Sequence, residues 1–127
     1  LLQTKKDNEK ALAVAQPAKS NITYDQFDAM DVRAGTVLEA ERVPKTKKLL
    51  KLKIDTGIDQ RTVVSGIAEY YTPEEMVGKQ VCILVNLEPK PLKGIESQGM
   101  ILCAQDADGG LVLVSPVVKV KNGSEVK

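Results

Sequence analysis

Basic side chains are concentrated in one short segment of the sequence. Between residues 42 and 53 the chain has six cations and no acidic residue: Arg42, Lys45, Lys47, Lys48, Lys51 and Lys53. A stripe of this kind can neutralise the phosphates of a nucleic acid. The same lysines could instead only keep a loop and an exposed strand edge soluble. The charge run alone weighs equally for both interpretations.

A second segment, residues 86–100, combines polar and basic side chains with residues that shape the backbone. Two prolines stiffen it and two glycines allow sharp turns. Lys90 and Lys93 lie there among Asn86, Ser97 and Gln98. Such a loop suits contacts with phosphate, ribose and single base edges. Its alternative role is a purely structural crossover between strands.

The sequence offers little for catalysis. Histidine is absent, so no imidazole can act as a general base or ligate zinc. Ser65 has no base to activate it, and the pairs Glu39/Glu41 and Glu74/Glu75 are typical of a strand exterior and a helix start. The formal net charge of +1 excludes a polycation, and three tyrosines with one phenylalanine disfavour stacking of successive bases. We expect a binding or structural module.

The predicted secondary structure decides how these residues are positioned. Six short segments have strand character: Val32–Glu41, Leu49–Asp55, Arg61–Ser65, Gln80–Val85, Gly99–Gln105 and Leu111–Ser115. Residues 72–78 have the signals of a short helix, and residues 23–27 can form a helical turn. This order predicts an all-β OB-fold, a five-stranded Greek-key barrel with one short helix. A different small barrel or sandwich is the alternative.

The two ends of the chain differ from this body. We expect residues 1–21 to be a linker from a longer polypeptide, with a short helix at residues 11–15, and residues 22–127 to form the domain. The tail from residue 116 is expected to add strand segments after the barrel, for dimerisation. Cys82 and Cys103 lie in apolar runs and are predicted to be buried thiols. Without a secretory signal or membrane span, the sequence indicates a cytoplasmic protein.

Four motifs, in this order, resemble a known family: DVRAGTV at 31–37, KLLKLKIDTG at 48–57, RTVVSGI followed by YTPEEMVGK at 61–79, and KGIESQGM at 93–100. They are similar to the tRNA-binding domain at the C-terminus of bacterial methionyl-tRNA synthetases. This family also includes free-standing dimeric tRNA-binding proteins, a secretion-chaperone-like protein and endothelial monocyte-activating polypeptide II. Lys47 stands where the synthetase form commonly has an acid.

The resemblance implies a dimeric OB-fold that recognises the shape of tRNA and not DNA or a membrane. Catalysis would then lie elsewhere in the parent chain, together with any ATP or zinc chemistry, because the synthetase signatures H-I-G-H and K-M-S-K-S are absent here. The implied RNA-binding residues are Lys45, Lys48, Lys51, Lys53, Arg42, Arg61, Asn86, Lys90, Lys93, Ser97 and Met100. The alternative is a free-standing dimeric tRNA-binding protein or a chaperone-like interaction module.

Overall fold

Short strands dominate the computed structural model, which describes residues 17–127. The elements in chain order are α1 (Tyr24–Asp28), β1 (Val32–Arg42), β2 (Leu50–Asp55), β3 (Gln60–Ser65), α2 (Pro73–Met76), β4 (Gln80–Leu84), β5 (Lys90–Leu92), β6 (Ile95–Ser97), β7 (Met100–Ile101), β8 (Cys103–Gln105) and β9 (Leu111–Leu113). The helix expected at residues 11–15 lies outside the described residues, so the domain boundary stays a prediction.

One antiparallel sheet, with strand order β3-β2-β1-β4-β7, curls into a nearly closed barrel. The long strand β1 belongs to both halves of this barrel. Its residues 32–36 pair with β4, its residues 36–42 pair with β2, and the register shifts between Val37 and Glu39. Such a β-bulge bends a strand, which lets β1 cross from one half to the other. The predicted all-β, OB-type fold is confirmed.

Alternation along β2 fixes which way its lysines face. Leu50, Leu52 and Ile54 are fully buried, so Lys51 and Lys53 between them point outward. Each buried aliphatic side chain contributes about 1.5–3 kcal/mol, which holds this register strongly. The core continues with Val37, Val63, Ile67, Met76, Val81 and Ile83.

Polar groups of Ser97 and Gln98 close the barrel against β3. Gln98 donates its backbone N–H to the Thr62 carbonyl at 2.9 Å, and its side-chain Oε1 accepts from the Thr62 N–H at 3.2 Å. The Ser97 hydroxyl accepts from the Val64 N–H at 3.0 Å and donates to the Gly99 carbonyl at 3.2 Å. These bonds satisfy backbone groups of β3 that a neighbouring strand would otherwise engage.

The region after β4 differs from the prediction. Residues 90–97 form the β5–β6 hairpin where a loop was expected, and the strand predicted at Gly99–Gln105 is divided into β7 and β8. The division falls at Leu102, whose N–H donates to the Cys82 carbonyl at 2.9 Å while its carbonyl accepts from Val114 at 3.1 Å. The chain therefore changes partner there, from β4 to β9.

The C-terminal tail runs along a free edge of β1. Gly123 donates to the Ala34 carbonyl at 2.8 Å, Ala34 donates to the Ser124 carbonyl at 2.9 Å, and Val126 donates to the Val32 carbonyl at 2.8 Å. Within the described residues the tail makes one isolated bridge rather than the expected strand. The turn at residues 122–123 limits this pairing, because the chain reaches the edge of β1 only after it.

Both cysteines are free thiols. Cys82 is buried, as predicted, whereas Cys103 is only partly so. Burial raises the pKa of each thiol. Among residues 17–127, no helix is long and apolar enough to cross a bilayer.

Candidate nucleic-acid interface

Three exposed lysines stand on the loop between β1 and β2, residues 43–49, which is called here the β1–β2 loop. Its backbone is fixed: Val43 donates to the Leu49 carbonyl at 3.1 Å, and Ala68 donates to the Lys48 carbonyl at 2.9 Å. None of the four ion pairs found within residues 17–127 involves Lys45, Lys47 or Lys48. The loop therefore holds unpaired cations on a rigid frame.

Backbone strain marks two of the predicted RNA-binding lysines. Within residues 17–127, Lys45 (φ 63°) and Lys93 (φ 51°) are the residues other than glycine that have positive φ. This conformation costs a residue with a Cβ about 1–2 kcal/mol, and glycine adopts it freely. Strain of this kind is typical of functional positions.

Lys93 stands at the tip of the β5–β6 hairpin. Leu92 pairs with Ile95, so Lys93 and Gly94 are the two turn residues, and both have positive φ as a type I′ turn requires. The hairpin thus presents an exposed lysine on a tight, well-defined turn.

The lysines of β2 do not form a purely positive surface. The register places Lys51 opposite Glu41 and Lys53 opposite Glu39, and the Lys51 Nζ lies 3.6 Å from a Glu41 carboxylate oxygen. The pair is exposed, so its energy is small. The local charge is nevertheless close to zero, because β1 supplies acids that the run between residues 42 and 53 lacks.

Both arginines in the predicted set bond to the protein itself. Arg42 donates to the Ala68 carbonyl at 3.3 Å. Arg61 donates through Nε to Asp59 at 3.0 Å, and through Nη1 to the carbonyls of Val85 and, at 3.4 Å, Gln98. Arg61 therefore ties β3 to both ends of the segment that contains the hairpin.

Asn86 and Ser97 are also committed to internal bonds. Asn86 accepts from the Asp31 N–H at 2.9 Å and donates to the Ala29 carbonyl at 2.6 Å, which fastens α1 to the barrel. Ser97 is 5% exposed and holds β3. Its burial leaves it no surface for RNA, so we remove Ser97 from the expected contacts. Lys90 and Met100 remain exposed.

A cleft of about 450 Å³ lies between the end of β3 and the β5–β6 hairpin, and we call it the β3–hairpin cleft. Lys90 lines it together with Ser65 and Gly66. Residue 68, next along the chain, bonds the β1–β2 loop at Lys48. Residues 65–68 thus connect the two basic elements. Neither this cleft nor the role of Gln98 has a direct signal in the sequence, since both depend on how distant segments pack.

No group of three or more metal-ligating side chains occurs within residues 17–127. The structure therefore offers no metal centre in the part of the chain that it describes.

An OB-type barrel with exposed, strained lysines beside an apolar cleft defines a class of nucleic-acid-binding domain. The family model described as "Putative tRNA binding domain" matches residues 32–125, and the chain belongs to this family. The resemblance predicted from the four motifs is confirmed.

Similar proteins place the chain more narrowly. It is 58% identical over all 127 residues to methionine–tRNA ligase of Bacteroides fragilis and 56% identical to that of Parabacteroides distasonis. The match is to the C-terminal part of such enzymes, and the chain spans 19% of the length of each of these two.

Solved structures agree with this placement. A MetRS related protein from Pyrococcus horikoshii has 39% identity and a TM-score of 0.81, with 86% of this chain and 100% of that chain covered. The chaperone CsaA of Bacillus anthracis has 29% identity and a TM-score of 0.78, with 85% and 100% covered.

Proposed function

We propose that this chain is the tRNA-binding domain of a bacterial methionine–tRNA ligase and that it holds tRNA for a catalytic body elsewhere in the parent chain. Family membership and 58% identity to such a ligase support the assignment. The observation that carries the binding mode is the pair of strained lysines, Lys45 and Lys93. The domain would need no cofactor of its own, and its compartment would be the cytoplasm, where tRNA is charged.

Recognition would depend on the shape of the tRNA. A folded RNA presents phosphates and 2′-hydroxyls on a rigid frame, so cations placed at fixed positions can read it without base-specific bonds. The β1–β2 loop and the hairpin tip supply such cations. The proposed phosphate contacts are Lys45, Lys47, Lys48, Lys90 and Lys93, with Lys51 and Lys53 weakened by Glu41 and Glu39.

Replacing both strained lysines by glycine is expected to weaken tRNA binding without unfolding the domain. Lys45→Gly/Lys93→Gly relieves the positive-φ strain, which offsets the entropy that glycine adds to the unfolded chain. The free energy of unfolding should therefore stay within about 1 kcal/mol of the wild type. Affinity for folded tRNA should fall about tenfold, and the log–log salt slope should decrease by about 0.7–0.9 for each phosphate that is no longer neutralised.

The controls separate charge from backbone geometry. Lys45→Gln/Lys93→Gln should show the same drop in affinity while it keeps the strain. Lys79→Gln, an exposed lysine after α2, should bind tRNA as the wild type does. Gel shifts with folded tRNA, unfolded tRNA and duplex DNA measure the preference. If the domain binds all three alike, or none of them, the tRNA function is wrong, and the chaperone activity named for CsaA becomes the better candidate.

We further propose that two copies associate through the face that contains α1. All five residues of α1 are exposed, and so are the neighbouring apolar side chains of Ile22, Met30 and Val126. They surround a groove of about 420 Å³. A helix of five residues is not stable by itself and needs packing against another surface. A second copy presents the same apolar face, as a two-fold interface requires.

Charge placed on this face is expected to separate the dimer. Phe27→Asp puts a carboxylate in the proposed interface, where burial without a partner is costly. Val112→Asp, on the exposed side of β9, is the matched control. Light scattering should give the mass of one chain for Phe27→Asp and of two chains for Val112→Asp. A wild type that is monomeric at high micromolar concentration would contradict the proposal.

A further inference from the structure

We propose that the β3–hairpin cleft accepts one unpaired nucleobase of the bound tRNA. This inference rests on the proposed tRNA-binding function and names a part of the ligand. The cleft measures about 450 Å³, within the range of about 300–1,000 Å³ that small-molecule sites occupy. Its apolar walls include Val64, Ile67, Leu92, Met100, Ile101 and Leu111.

The polar groups that line this cleft suit a nucleotide. The charged ones are the exposed Lys90 and Glu88, and the half-exposed Ser65 adds a hydroxyl. With the base among the aliphatic side chains, the Lys90 ammonium can bind its phosphate. The Glu88 carboxylate can accept a hydrogen bond from an exocyclic amine of the base. Glu88 would repel a phosphate in its place, which favours one orientation of the nucleotide.

Continuity with the basic loop favours RNA over a protein segment as the occupant. Gly66 lines the cleft, and Ala68 donates its N–H to the Lys48 carbonyl at 2.9 Å. A strand that places a base in the cleft would therefore run towards the unpaired cations of the β1–β2 loop. Unstacked bases in loops are the parts of a folded RNA that proteins take into such pockets.

Filling the cleft tests the inference. A Cβ added at Gly66 meets no atom within 4 Å, so Gly66→Leu can enter the cleft without displacing backbone. We expect about tenfold weaker binding of folded tRNA, with an unchanged salt slope because the same phosphates remain neutralised. Ala107→Leu, in the exposed turn between β8 and β9, adds the same side chain outside the cleft and should bind as the wild type does.

A second measurement uses the free nucleotides as probes. Methyl NMR of Ile67, Ile101 and Leu111 should show shifts with AMP, CMP, GMP or UMP, smaller shifts with ribose 5-phosphate, and none of either in Gly66→Leu. Equal shifts with ribose 5-phosphate would reduce the site to a phosphate site and overturn the inference. It is also overturned if Gly66→Leu binds tRNA normally, including the case in which it impairs only association with the catalytic part of the parent enzyme. A wild type that binds no tRNA would instead refute the proposed function.

Discussion

Replacing Gly57 by alanine should lower the free energy of unfolding by about 3 kcal/mol and detach the C-terminal tail. A Cβ at residue 57 would lie 2.4 Å from the carbonyl oxygen of Asn122 and 2.7 Å from the Cα of Gly123. Both are backbone atoms, so no side-chain rotation can relieve the clash. Gly57 also has φ +86°, which adds the strain of the left-handed region.

The matched control is Gly109→Ala. Gly109 has φ +89°, and a Cβ there meets no atom within 4 Å. It should cost only the conformational strain of about 1 kcal/mol. The difference between the two variants, measured by denaturant unfolding, isolates the packing of the tail against residue 57. Equal destabilisation of the two variants would show that the tail packs too loosely to matter.

Hydrogen exchange locates the effect. The N–H groups of Gly123 and Val126 are bonded to β1, so their exchange should accelerate in Gly57→Ala and stay slow in Gly109→Ala. The tail borders the groove beside α1 through Val126. Its release should therefore also weaken the proposed dimer.

The elements that follow from local pattern were predictable. The alternation of Leu50, Leu52 and Ile54 with lysines fixes the strand and its buried face, because a strand places successive side chains on opposite faces. The capping box of Thr72 with Glu75 and the proline at residue 73 likewise define α2 within a few residues. In these cases the deciding interactions lie within four residues of one another.

The errors arose where distant residues decide. Glu39 and Glu41 precede the basic run in the chain, and only the register between β1 and β2 places them opposite Lys53 and Lys51. The β5–β6 hairpin was hidden because Pro89 and Pro91 argue against a strand. Here the hairpin is a separate two-stranded sheet, where a proline can be tolerated at an edge.

The candidate site shows the same division. Residue type correctly indicated exposed cations at Lys45, Lys48, Lys90 and Lys93, but it could not distinguish a side chain that faces solvent from one that bonds the backbone. Ser97 is polar, yet its hydroxyl is used inside the barrel wall. No local signal separates these roles, because the partner, Val64, is 33 residues away.

Arg61 is expected to act as a positioning residue for RNA binding. Its guanidinium reaches the carbonyl of Val85, where the hairpin segment leaves β4, and that of Gln98, where the segment returns. Without this link the hairpin would have to be ordered when tRNA binds. Ordering several side chains costs about 2 kcal/mol, so Arg61→Ala should bind tRNA about 30-fold more weakly.

Arg61→Lys distinguishes positioning from direct contact. Lysine keeps the positive charge and lacks the planar fork that serves several acceptors at once. If Arg61 positions the hairpin, Arg61→Lys should bind tRNA nearly as weakly as Arg61→Ala, and both should keep the salt slope of the wild type. If Arg61 instead binds a phosphate, Arg61→Lys should retain affinity and Arg61→Ala should lower the slope by about 0.7–0.9.

The carboxylate of Asp59 gives the same link a pH dependence. Hydrogen bonds from Arg61 lower the pKa of Asp59 from its ordinary value of 3.8, and the Thr56 hydroxyl and the charge of Arg33 act in the same direction against a small desolvation cost. The charged form is thus favoured by the fold, so its stabilising effect is complete above that ordinary value and disappears as the pH falls through the lowered pKa. Asp59→Asn should therefore be less stable than the wild type at pH 7, and the two should converge near about pH 2. A constant difference across that range would mean that Asp59 acts on Arg61 by shape rather than by charge.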